Sequence, residues 1–147
     1  MAFRFALAPL LRLRQSIERQ RTLLLQEAIL RVARAQEALT QVERHLTESA
    51  QSDLATLASG STGAELQFAS VRRENLYHFR EQLQSDMRNL ELARQKAASE
   101  YQQAYREREV LETLRARQRR DYQQEQLRRQ QLELDAAYLL QRWHHQS

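Results

Sequence analysis

The stretch TLASGSTGAEL, from Thr56 to Leu66, contains Gly60 and Gly63, the two glycines of a 147-residue chain. The one proline, Pro9, lies far away near the start. Glycine supplies the positive φ that tight reversals need, and Ser and Thr favour turns and helix starts because their side chains bond the local backbone. The segment therefore reads as a reversal between two long uninterrupted elements.

Composition points the same way. Charged residues make up 29% of the chain and aromatic ones 7%; with Ala, Leu, Arg, Gln and Glu dominant, this is the mix of long helices and coiled coils. Such a chain builds a seam and not a thick globular core. No window approaches the ~18 apolar residues of a membrane span. The opening MAFRFALAPLLRLR lacks a signal-peptide apolar region and a small-residue cleavage site, so an intracellular protein is expected. Cysteine is absent, which removes disulfides and thiolate zinc sites. The net charge of +4 comes almost entirely from arginine, Lys96 being the one lysine. Arginine forks suit phosphate and carboxylate equally. Here they interleave with glutamate through YREREVLETLRAR, residues 105–117, as on a solvated helix face, and no nucleic acid is expected.

From Leu25 the apolar residues alternate by three and four: Leu25, Ala28, Val32, Ala35, Leu39, Val42, Leu46. That is a coiled-coil seam. Upstream, Leu10, Leu13, Ile17 and Leu24 form a stripe of shifted phase, predicting a stutter near residues 24–28. Pro9 is tolerable in a first helical turn. Helix one is expected over residues 8–57, the turn over 58–63 and helix two over 64–143, with Thr62 as N-cap and Glu65 three residues on. Every seventh residue from Ala69 to Leu111 is apolar. Companion positions include Arg73, Arg80, Arg94 and Arg108, whose stems can line the seam. A reversal near Gly60 sets Leu10 opposite the Leu111 region, and the seam turns polar beyond, at Arg115, Gln118, Tyr122, Glu125 and Arg129. The expected fold is all-α: a single antiparallel coiled-coil hairpin of two long helices, the second longer and overhanging by roughly 45 Å at 1.5 Å per residue.

Apolar residues return in LELDAAYLLQRW, where Leu132, Ala136, Leu139 and Trp143 keep the old phase. Three readings stand: a frayed tail, back-packing onto Phe3-Arg4-Phe5, or a binding stripe for a second protein. Catalysis needs converging polar groups in a sheltered pocket, which two paired helices do not offer. No phosphate-binding G-x-x-x-x-G-K-[ST] loop is present. Glu74 and His78 make a weak metal pair, and His45, His144 and His145 read as surface residues. No enzyme activity, cofactor or metal is expected.

The run Phe3-Arg4-Phe5-Ala6-Leu7-Ala8-Pro9-Leu10-Leu11-Arg12-Leu13-Arg14 resembles the opening of the flagellar export protein FliJ family, F-x-F-x-L-x-x-L-L-x-x-R before a long helix. QEALTQVE in helix one and REREVLETLRARQRRDY in helix two are also similar to that family, whose pattern Pro9 departs from. The resemblance implies a soluble component of the flagellar type III export apparatus, cytoplasmic and peripheral at the inner membrane. It further implies an antiparallel coiled coil, similar to the rotary ATP synthase stalk, in the pore of a hexameric export ATPase. Its other implied partners are the cytoplasmic domain of the export gate and export chaperones. Injectisome stalks share the architecture and are the nearest alternative. The ring-facing residues expected are Phe3, Phe5, Leu7, Leu10, Leu11, Arg12, Arg14, Arg115, Arg117, Arg119, Arg120, Leu132, Leu139 and Trp143. Ungapped placement puts gate contacts at Val42, His45, Phe79 and Leu83. Val42 and Leu83 read equally as ordinary seam residues. Rival classes are a scaffold whose helices pair between chains, and an arginine-rich nucleic-acid binder with steep salt dependence.

Overall fold

A computed structural model describes residues 2–146. Its elements are α1, Ala8–Ser59, and α2, Gly63–Gln146, and no strand occurs among the described residues. Local chemistry sets each end. The Leu11 N–H donates to the Leu7 carbonyl at 2.9 Å, so Pro9 falls in the first turn, where a backbone N–H has no acceptor to lose. At the other end of α1, Gly60 takes φ 83° and its N–H donates to the Leu57 carbonyl at 3.4 Å, the left-handed stop that glycine adopts without a Cβ clash. Thr62 then caps α2. Its hydroxyl accepts the Glu65 N–H at 3.2 Å and its carbonyl accepts the Leu66 N–H at 3.2 Å, satisfying two donors that open the helix.

The two helices pair antiparallel within each of two compact units, Gln20–Gln102 and the residues up to Arg19 with those from Gln103. In the unit Gln20–Gln102, Val32 and Val42 are buried, while Leu25, Ala28, Ala35, Leu39 and Leu46 are half-buried opposite Leu76, Leu83, Leu90 and Ala97. The alternation continues past Leu46 onto polar residues. Ser49 is buried and the Asp53 side chain is only 12% exposed. Arg72 donates to Ser49 Oγ at 3.0 Å and to Asp53 at 3.3 Å, and Arg73 donates to the other Asp53 oxygen at 2.5 Å. Toward the unit's other end Arg21 donates to Glu100 at 2.9 Å.

In the second unit Leu11, Ala104 and Leu111 are buried. Arg14 donates to Glu107, Gln15 to Glu112 at 3.1 Å, and Arg108 to Glu18. The expected shift of phase is not what the chain does. Of the expected stripe Ile17 is half-buried, but Leu10 lies at the surface and Leu13 and Leu24 are about half exposed, whereas Leu11, Arg14, Glu18 and Arg21 turn toward α2. Counting back from Leu25 by four and three lands on those four residues, so the seam keeps one phase and changes chemistry. Each charged member meets an opposite charge across the helix pair, so none is left inward and unpaired, the situation that costs most. The hydrogen bond that Arg108 donates to Glu18 holds its guanidinium above the ordinary pKa, against partial burial.

The reversal yields a paired test. Gly60→Ala, forced to keep positive φ, should lower unfolding free energy by about 1–2 kcal/mol with helicity retained. Gly63→Ala meets nothing within 4 Å and has ordinary φ, and should not destabilise; urea unfolding followed by circular dichroism compares the two.

Candidate partner-binding surfaces

Residues 2–5 precede α1 without regular structure. This short run continues the antiparallel register of the helix pair past the start of α1. It places the Phe3 ring on Tyr122, centroids 5.7 Å apart and tilted by 46°. Phe3 and Phe5, with Ala8, Arg115 and Arg119, line an open notch of about 380 Å³.

Several of the ring-facing residues expected from sequence meet here and divide by role. Phe3 and Phe5 are half-buried, and Leu7, Leu10 and Arg12 lie at the surface. Leu11 is buried in the helix pair and Arg14 is tied to Glu107; both hold this end together. On α2, Arg115, Arg117, Arg119 and Arg120 are exposed, and none has a carboxylate partner among the described residues. One helical turn beyond Tyr122 the pattern reverses. Arg128 and Arg129 both donate to Glu125, at 2.7 and 3.3 Å. The arginines of residues 115–120 thus present free guanidinium forks beside an aromatic notch, where they can take carboxylates.

Leu132, Leu139 and Trp143 lie farther along α2, 53%, 63% and 69% exposed. The segment is helical through Gln146, which disfavours fraying. Back-packing is not seen: the Phe3 ring rests on Tyr122, and the Trp143 ring meets its neighbour His144 edge-on at 6.4 Å.

A second surface lies in the unit Gln20–Gln102. Val42 is buried and Leu83 half-buried, as seam residues are. His45 is exposed, with Nδ1 4.0 Å from Glu48. Phe79 is half exposed and shares an apolar groove of about 310 Å³ with Phe68, Val71, Arg72, Asn75 and Leu76. Leu76 also lines the cleft that contains His45, so the two expected outward residues flank one seam leucine. Sequence reasoning missed Phe68 and Val71. Their signal was available: Phe68, Val71, Asn75 and Phe79 recur at helical spacing on a face beside the heptad.

Among the described residues no group of three or more His, Cys, Asp or Glu could hold a metal. Glu74 and His78 approach to 3.9 Å on an open face. No described helix is long and apolar enough to cross a membrane.

Glu125 supplies a local check on the charge pattern. Its hydrogen bond from Arg128 holds its carboxyl below the ordinary glutamate range, with Arg129 adding to the effect. A lowered folded-state pKa means that the pairing stabilises the helix above the ordinary range and is lost as pH falls through the folded value. A carbon-13 titration of Glu125 should therefore fall below that of an unpaired glutamate, and Arg128→Gln should move it back.

Compared with known protein families, residues 3–147 match the family described as Flagellar FliJ protein. No curated protein and no solved structure matches the chain.

Proposed function

The chain belongs to the flagellar FliJ family, a coiled-coil component associated with flagellar protein export and not an enzyme, and on that premise we propose that it is the central stalk of the export ATPase. In this reading the chain stands in the pore of the hexameric ring, promotes ring assembly and activity, and links the ring to the cytoplasmic domain of the export gate. It works in the cytoplasm, peripherally at the inner membrane, and assists the escort of export chaperones. The observation that carries the reading is the set of arginines 115, 117, 119 and 120, none with a carboxylate partner among the described residues, of which Arg115 and Arg119 line the Phe3–Phe5 notch. A stalk end needs exposed charge that acidic pore loops can meet, and arginines already neutralised within the chain cannot supply it. Leu132, Leu139 and Trp143, open on the same helix, extend that contact with apolar surface.

The gate contact is assigned to His45 and Phe79. Val42 and Leu83 support it from inside the seam. The Phe68–Phe79 groove supplies an apolar floor for a partner side chain.

ATP hydrolysis by the cognate export ATPase tests the ring assignment. Full-length chain should stimulate hydrolysis. A chain ending at Arg129 should lose most of the stimulation, and charge reversal at Arg117, Arg119 and Arg120 should reduce it roughly fivefold or more, more strongly at low salt. Equal stimulation by all three would remove both surfaces from the ring contact. For the gate, Phe79→Ala should weaken binding to the gate's cytoplasmic domain roughly tenfold or more while shifting the unfolding midpoint little; a large stability loss would reassign Phe79 to the helix seam.

A further inference from the structure

From residue 132 onward α2 carries a stripe whose order is complementary to itself. Leu132, Ala136, Leu139 and Trp143 recur at coiled-coil spacing, all four are exposed, and the helix is unbroken beneath them. Reading the stripe in reverse against itself sets Leu132 on Trp143 and Ala136 on Leu139. Each large residue meets a smaller one, and because the arrangement is two-fold, every layer occurs twice.

The flanking charges select the same alignment. Asp135 and Arg142 immediately precede the inward positions Ala136 and Trp143. Antiparallel pairing in this register brings Asp135 of one chain against Arg142 of the other, and the two-fold repeats the contact with the chains exchanged. Within the chain Asp135 accepts only the Gln131 amide, at 3.1 Å, and Arg142 has no carboxylate partner among the described residues. Moving the register by one heptad would face Arg128 with Arg142, Asp135 with its own copy, and Leu139 with Arg129. A parallel arrangement would continue upstream into Arg129 on Arg129 and Glu125 on Glu125. Like charges set opposite one another disfavour both.

We propose that the exposed stripe Leu132–Trp143 is a self-association surface whose occupant is the same stripe of a second copy, paired antiparallel and fixed by reciprocal Asp135–Arg142 bridges. Two short helical segments bury well under the ~1,200 Å² of stable interfaces, so the pairing is weak and concentration-dependent. It covers the side chains assigned above to the ATPase ring, so self-paired chains are held out of the ring. That consequence rests on the ring reading, whereas the pairing itself is measured with no ATPase present, and either can fail alone.

Trp143 is the single tryptophan and reports on the stripe directly. Sedimentation equilibrium of the full chain up to about 1 mM should show monomer passing to dimer, with Trp143 emission shifting to the blue over the same range. Asp135→Arg alone and Arg142→Asp alone should each weaken self-association at least fivefold, because each sets two like-charged pairs in the interface. Mixing the two variants should restore pairing, since each chain then meets an opposite charge from the other at both bridges. The chain carrying both substitutions should self-pair like the original, and circular dichroism confirms that every variant remains helical. A monomer at all concentrations overturns the proposal, as does single-variant pairing equal to the original chain's. A helical mixture that fails to restore pairing, or a dependence on Glu133 with none on Asp135, overturns the antiparallel register.

Discussion

Two helices packed side by side have one stripe each to hide, and a polar residue that falls on it must find a partner across the pair, as Glu18 and Asp53 do, or along its own helix, as Arg94 does with Glu91. Five hydrophobic side chains, Leu11, Val32, Val42, Ala104 and Leu111, are buried among the described residues, too few to override a misplaced charge. The inward polar positions are therefore as structural as the leucines. Arg14, Glu18, Arg21 and Asp53 of α1, with Arg73 and Arg108 of α2, occupy heptad positions that leucine would otherwise fill, and Glu107, Glu100 and Arg72 meet them from flanking positions. A buried ion pair adds little net stability over a well-packed apolar pair, but breaking one is costly, so such pairs favour one register over its neighbours.

The same pairing decides which charges remain available. An arginine matched inside the chain presents little field to a partner, whereas one with no carboxylate nearby presents a whole fork. That contrast falls between residues 115–120 and residues 128–129, two arginine clusters of the same helix and similar sequence. Glu125 separates them. Its position makes the first cluster a candidate contact surface and the second a local helix stabiliser.

Membership of the flagellar FliJ family and this division of surface are consistent with one another. A chain that works by contact needs rigid elements, open side chains and a defined register. Among the exposed apolar groups of its helices are the Phe68–Phe79 groove and the Leu132–Trp143 stripe. The groove borders the heptad seam at Leu76, and the stripe lies on α2 beyond it.

Sequence alone determined the reversal, because only glycine adopts φ 83° at no steric cost and Thr62 and Glu65 stand at capping distance from each other. It determined two long helices and the apolar seam of Leu25–Leu46 and Ala69–Leu111, since heptad spacing is a property of one helix; just beyond Leu111 the expected inward Arg115 is exposed, whereas Leu114 and Tyr122 are half-buried. Tertiary structure decided what lay between strands. Whether Leu11 or Leu13 faces inward depended on Glu18 and Arg14 finding Arg108 and Glu107, residues some ninety positions away. Whether Phe3 met the tail or Tyr122 depended on the register of α1 against α2, which sets the chain start level with Tyr122. Local periodicity reads one helix at a time; the cost of an unpaired charge is set by whatever the other helix places opposite it.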